Sequence, residues 1–135
     1  NPIRYAVTVG ERRELYCTAL GKVLLAWMPK GGLETYLASH RLQRFTDTTI
    51  TTAAGLQKEL RHIRTEGLAR TLGERFREAD GVAAPIFLAD GTVGAALLVA
   101  GPAQRMHAHR VVNEAAVRRL AAEVTDALRG LALQI

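Results

Sequence analysis

Two apolar runs that face each other across Asp90-Gly91 constrain this chain more than any other feature. Gly81-Val82-Ala83-Ala84-Pro85-Ile86-Phe87-Leu88 stands before the pair and Thr92-Val93-Gly94-Ala95-Ala96-Leu97-Leu98-Val99-Ala100 after it. Asp and Gly both tolerate the left-handed backbone of a tight turn, so the pattern predicts a hairpin with a two-residue connection. Strands joined that tightly are antiparallel, and a doubly wound parallel sheet is thereby disfavoured. Pro85 has no amide to donate, so its strand is expected at a sheet edge or with a bulge at that point. Gly101-Pro102 ends the sheet.

The rest of the chain reads as helices around this hairpin, preceded by one strand. Ile3-Arg4-Tyr5-Ala6-Val7-Thr8-Val9 alternates with period two and predicts a half-buried strand ending at Gly10. Thr18 precedes Ala19 to Met28, which is apolar on most faces and stopped by Pro29, a buried helix with Thr18 as its cap. Leu33, Tyr36 and Leu37 give a short helix before His40. A threonine-rich loop from Phe45 to Thr52 ends in a hydroxyl cap for a helix whose stripe is Leu56, Leu60 and Ile63 and whose stop is Gly67. Leu68 to Glu74 reads as a strand, and the charged stretch to Asp80 as a loop. From about His107 to Arg129, Val111, Ala115, Val117, Leu120, Val124, Leu128 and Leu131 predict one long helix packed on the sheet. Helices segregated beside an antiparallel hairpin give an α+β fold.

With 135 residues the chain makes one domain, and at 48% hydrophobic it can bury a core. Its longest apolar stretch, Val82 to Ala89, is far below the ~18 residues of a bilayer span. The start, Asn1-Pro2-Ile3-Arg4, carries no secretion signal, so no membrane partner and a cytoplasmic location are expected. The net charge of +5 raises the question of nucleic acid. Yet the arginines are dispersed or interleaved with acids, as in Glu11-Arg12-Arg13-Glu14 and Glu74-Arg75-Phe76-Arg77-Glu78. That pattern predicts a solvated surface, not a nucleic-acid groove.

No catalytic constellation emerges, and neither a cofactor nor a metal is expected. Cys17 precedes a helix start, where a thiol can be activated, but neither His40 nor His62 lies in a nucleophile motif and burial is the commoner fate. His107 and His109 sit at i and i+2, which point apart on a helix, and no further ligand completes a metal set. Glu74 and Glu78 sit among arginines, where a surface ion network is the usual outcome. Gly21-Lys22 lacks the second glycine and the hydroxyl of a phosphate loop. What remains is the start of the helix after Thr18. Its first amides have no intrahelical partner and its dipole favours an anion, while Ala19, Gly81 and Ala100 are small enough to leave room beside it.

The blocks Leu15-Tyr16-Cys17-Thr18-Ala19-Leu20-Gly21-Lys22-Val23-Leu24-Leu25-Ala26, Arg44-Phe45-Thr46, Gly81-Val82-Ala83-Ala84-Pro85-Ile86 and Gly91-Thr92-Val93-Gly94-Ala95-Ala96-Leu97 resemble, in order and spacing, the effector-binding domain of IclR-family bacterial transcriptional regulators. The resemblance runs from about Tyr5 to Leu131. It implies a GAF-like fold over residues 1–135, shortened at its N-terminal side, with a winged helix-turn-helix DNA-binding domain lying outside this chain. It further implies a small organic acid effector, a homodimer or homotetramer, and contact with operator DNA only through the missing domain.

The resemblance also implies a pocket in which the amides of Ala19 and Leu20, after Thr18, hold the acid group. Compared with the family's pattern, Thr71 stands where an acidic residue is frequent, Gly81 where cysteine is, and Leu98 and Ala100 where serine is. A pocket so changed is expected to be more apolar and to retain small polyfunctional acids such as glyoxylate poorly, since a buried polar group without a partner costs on the order of 1–3 kcal/mol. The expected effector is a single carboxylate on a hydrophobic or aromatic body, with Leu20, Leu98 and Tyr5 against the body and Gly81 giving it space. A pocket left vestigial in an oligomerisation module is the rival expectation.

Overall fold

A computed structural model of the chain describes Val9 and residues 12–133, with side chains to Leu131. The expected strand over Ile3–Val9, and with it Tyr5, lies outside the described residues. Within them the order is α1 (Ala19–Ala26), α2 (Gly32–Ser39), α3 (Ala53–Glu66), β1 (Ala69–Leu72), β2 (Ala79–Phe87), β3 (Val93–Pro102), α4 (Ala103–Ala108) and α5 (Arg110–Leu133). The three strands form one antiparallel sheet in the order β1-β2-β3.

β2 is buried on both faces, and its period-two alternation divides the core in two. Ala83 faces a cluster with Val23, Leu25, Leu56, Leu60 and Ile63, which brings α1 and α3 onto one side of the sheet. Val82, Ala84 and Ile86 face Val117 and Ala121 of α5 on the other. The chain is therefore layered as helices, sheet, helix, the α+β arrangement expected of it. Both predicted hydroxyl caps are present: Thr18 Oγ1 accepts from the Gly21 amide at 3.2 Å and Thr52 Oγ1 from the Gly55 amide at 3.1 Å. Gly67 closes α3 with φ at +73°, which favours a residue without Cβ.

Three details differ from the expectation. The hairpin is not closed by two residues: Leu88 donates to the Thr92 carbonyl, and Ala89-Asp90-Gly91 form a three-residue loop with Gly91 at φ +85°. The register also slips between Ile86 and Phe87, so the irregularity falls just beyond Pro85. Pro85 itself is in the central strand, but β1 pairs no further than Ala83, so no strand on that side asks for its amide.

The third difference is α5. Val117, Ala121 and Thr125 face the sheet, whereas Val111, Leu120, Val124 and Leu131 of the expected stripe are exposed. The helix also begins at Arg110, after a break at His109 that separates it from α4. Arg70 fixes the buried face, donating to Glu114 of α5 at 2.8 Å and to Glu66 of α3 at 2.6 Å. These contacts predict that Val117→Ala lowers stability by roughly 1–3 kcal/mol in urea unfolding while Val111→Ala changes it by less than about 0.5 kcal/mol.

Candidate functional site

The approach of the chain to α1 shapes the site. A Cβ on Gly21 would collide with the backbone of Leu15, so only glycine lets residues 13–17 cross so close to the first turn of α1. Thr18 ties the crossing down from its other side, its hydroxyl donating to the Glu14 carbonyl at 2.7 Å while capping Gly21. Opposite the helix start lies a row across the sheet: Thr71 of β1 pairs with Gly81 of β2, and Gly81 with Ala100 of β3. Leu98 stands next to this row, opposite Ala83.

Between the row and the helix start is a cavity of about 270 Å³. Thr18, Ala19, Leu20, Thr71, Gly81, Leu98 and Ala100 all line it. Every residue expected at the site and lying within the described part is thus brought together; Tyr5 is outside that part. A Cβ added at Gly81 would stand 3.2 Å from Thr71 Oγ1 and 3.4 Å from both Ala19 Cβ and Leu98 Cδ1, so the missing side chain is what keeps this end open.

Two polar features bear on what the cavity can hold. Among the described residues, the N–H groups of Ala19 and Leu20 have no hydrogen-bond partner, because the cap serves Gly21 and the Thr18 carbonyl receives Lys22. Thr71 is only 6% exposed, and its hydroxyl, facing the Gly81 position, likewise has no partner among the described residues. Cys17, in the same lining, is buried. Burial pushes its thiol up to about 12, with the nearby Glu14 carboxylate adding to the effect and Arg75 opposing it.

Sequence reasoning missed the charged part of the lining. Arg13, Arg75 and Asp80 all border the cavity, and so does Phe76. The stretch around Arg75, expected as a solvated ion network, is instead built into the fold. Glu74 is buried, and Lys22, fully buried, donates to both of its carboxylate oxygens at 3.0 and 3.1 Å. Burial holds the Glu74 carboxyl above its ordinary range while the Lys22 ammonium draws it down. Thr46, Thr48 and Thr49 then donate to the carbonyls of Gly73, Leu72 and Glu74 at 2.6, 2.9 and 2.6 Å. The threonine-rich loop, read only as a loop ending in a helix cap, is what grips the β1–β2 connection. Arg75 donates to Glu14 at 2.8 Å, and although partial burial works the other way, this hydrogen bond leaves the Glu14 carboxyl below its ordinary range. The available signal was Lys22 itself, a charged residue in a helix expected to be apolar on most faces, and it did not name its partner.

Comparison with known proteins agrees with this geometry. Residues 1–127 match the family described as bacterial transcriptional regulator IclR C-terminal. The chain belongs to that family. A curated relative, the HTH-type transcriptional regulator BhcR of Paracoccus denitrificans, is 39% identical over 104 residues, covering 77% of this chain and 37% of its own. The regulator KdgR of Escherichia coli is 31% identical over 95% of this chain and 49% of its own. Among solved structures, the IclR of Thermotoga maritima superposes with a TM-score of 0.85 at 29% identity, over 96% of this chain and 53% of that one. The chain spans about half or less of the length of the curated relatives it matches, and the family's members are transcriptional regulators, not enzymes. No helix among the described residues is long and apolar enough to cross a membrane.

Because Lys22 and Glu74 are buried as a pair, removing one partner strands the other. Lys22→Met is expected to cost about 3–5 kcal/mol in urea unfolding, and adding Glu74→Leu to that variant to recover most of the loss.

Proposed function

We propose that the cavity between the α1 start and the Thr71-Gly81-Ala100 row is the effector site of an IclR-type regulator, taking a hydrophobic or aromatic carboxylic acid. The observation that carries this reading is Thr71: a hydroxyl on a side chain more than nine-tenths buried, without a protein partner among the described residues, at the wall of an otherwise largely apolar cavity. No side-chain oxygen among the described residues is both fully buried and unpartnered, so the Thr71 hydroxyl is open to the cavity, where an acid's oxygen accepts from it. The Ala19 and Leu20 amides supply donors of the same kind from the helix side, where the dipole favours negative charge. Leu15, Leu20, Phe76 and Leu98 then enclose an apolar body.

In the whole protein this domain would pass effector occupancy to a DNA-binding domain outside residues 1–135, within a homodimer or homotetramer. The exposed Val111, Val112 and Leu131 on α5 favour a second reading, in which the domain chiefly assembles subunits and the cavity is vestigial. Thermal unfolding against a metabolite library separates the two. A specific ligand at 100 times its Kd adds about 2.7 kcal/mol of stability, whereas a flat response supports the assembly role.

Calorimetric titration tests the ligand class, with aromatic acids expected to bind more tightly than short oxo-acids; the reverse order contradicts the reading. Leu20→Pro, which deletes one amide in the first turn where proline is tolerated, is expected to weaken acid binding more than Leu20→Ala. Equal losses would mean that the amide is not a donor to the ligand.

A further inference from the structure

Arg75 is held in place by three groups, and one edge of it is left over. Its guanidinium carbon lies 3.9 Å from the Phe45 ring centroid and 4.5 Å from that of Phe76. Its Nε donates to Glu14 Oε2 at 2.8 Å. Among the described residues, Nη1 and Nη2 donate to no protein acceptor. The side chain is 26% exposed and lines the cavity. Two aromatic contacts and a fixed Nε set the plane of a side chain that is otherwise flexible, so little further ordering is needed when its free edge meets a ligand. Glu14 links this guanidinium to the helix start, since its carboxylate holds Arg75 and its carbonyl receives the Thr18 hydroxyl. The backbone of the β1–β2 connection is itself immobilised by Lys22 and the threonine hydroxyls, which fixes where Arg75 begins.

The geometry points to Arg75 as the residue that makes the site select for ionised charge: its Nη1 and Nη2 take the oxygens of the effector's carboxylate, beside the donors at the start of α1. This assignment rests on the reading that the cavity holds an organic acid, and it adds that an uncharged analogue of the same shape is refused. A planar fork of N–H groups matches the two oxygens of a carboxylate, and such charge-assisted pairs are roughly twice as strong as neutral ones. A primary amide in the same place would turn either an N–H group toward the fork, donor against donor, or a single oxygen without charge. Arg13, 4.9 Å from the Phe76 ring, and Asp80 also line the cavity, one charge of each sign, so the charge selection is assigned to Arg75. Backbone amides and Thr71 donate to neutral and charged oxygens alike, and the helix dipole behind the amides adds only a smaller preference for charge, so the guanidinium carries most of this discrimination.

The test is calorimetric titration with benzoate and benzamide, which match in size and shape. The unaltered chain is expected to bind benzoate about ten-fold or more tightly than benzamide. Arg75→Gln is expected to remove most of that preference by weakening benzoate about ten-fold while leaving benzamide little changed, and Arg75→Lys to restore only part of it. Equal affinity of the unaltered chain for the two compounds overturns the assignment without need of any variant, and so does an undiminished preference in folded Arg75→Gln. If the unaltered chain binds neither benzoate nor any other aromatic acid, the acid-sensor reading itself fails, and the role of Arg75 with it.

Discussion

The buried pair of Lys22 and Glu74 is the interaction around which the site is organised. It joins the second turn of α1 to the connection between β1 and β2, two pieces separated by 52 residues, with both carboxylate oxygens engaged. Two charges are not taken out of water cheaply, and replacing such a pair with apolar groups is often neutral or stabilising. Its value here is positional. It fixes the helix start on one side of the cavity and the segment carrying Arg75 and Phe76 on the other, and it does so at one distance and in one orientation. The threonine hydroxyls of residues 46, 48 and 49 hold the same segment from behind, so the cavity is walled by backbone that is fixed before any ligand arrives.

A consequence is that the site divides its work by chemistry. The sheet offers small residues and one hydroxyl, the helix offers amides, and the β1–β2 connection offers the permanent charge. None of these alone recognises a molecule. On the reading proposed above, an anionic head would meet donors at one end of this hollow while an apolar body lay along Leu98 and Leu20. Glycine contributes twice through close approach, Gly21 by admitting the Leu15 backbone and Gly81 by leaving the cavity floor uncovered.

The sequence was most legible where local chemistry and tertiary packing agree. The cap at Thr18, the stripe of α3 and its stop at Gly67, and the apolar runs of β2 and β3 each follow from a few adjacent residues. Of the row Thr71-Gly81-Ala100, Gly81 and Ala100 were legible as small residues beside the helix start, but Thr71 was reached only through the resemblance, since the three come from different strands and meet by register. The face of α5 was misread because valine and leucine at helical spacing do not say which of two overlapping stripes is buried; Ala121 and Thr125, less apolar than Leu120 and Val124, lie inward, where the Thr125 hydroxyl accepts from the Phe87 amide at 3.0 Å. Glu74 and Arg75 were misread for the opposite reason. A run of alternating charges looks solvated, and only a partner distant in the chain reveals that one carboxylate is buried and one guanidinium stacked between rings. Long-range pairing of charges leaves no periodic trace.

The claim that the helix start holds an anion's head is tested most directly by following the backbone amides of the isotopically labelled chain by NMR during a titration with benzoate. The account predicts that the Ala19 and Leu20 resonances move furthest, with Gly81 among the next, and that they saturate together. Saturable shifts confined to the second hollow, bordered by Glu59, His62 and Glu66, with Ala19 and Leu20 unmoved, would contradict it.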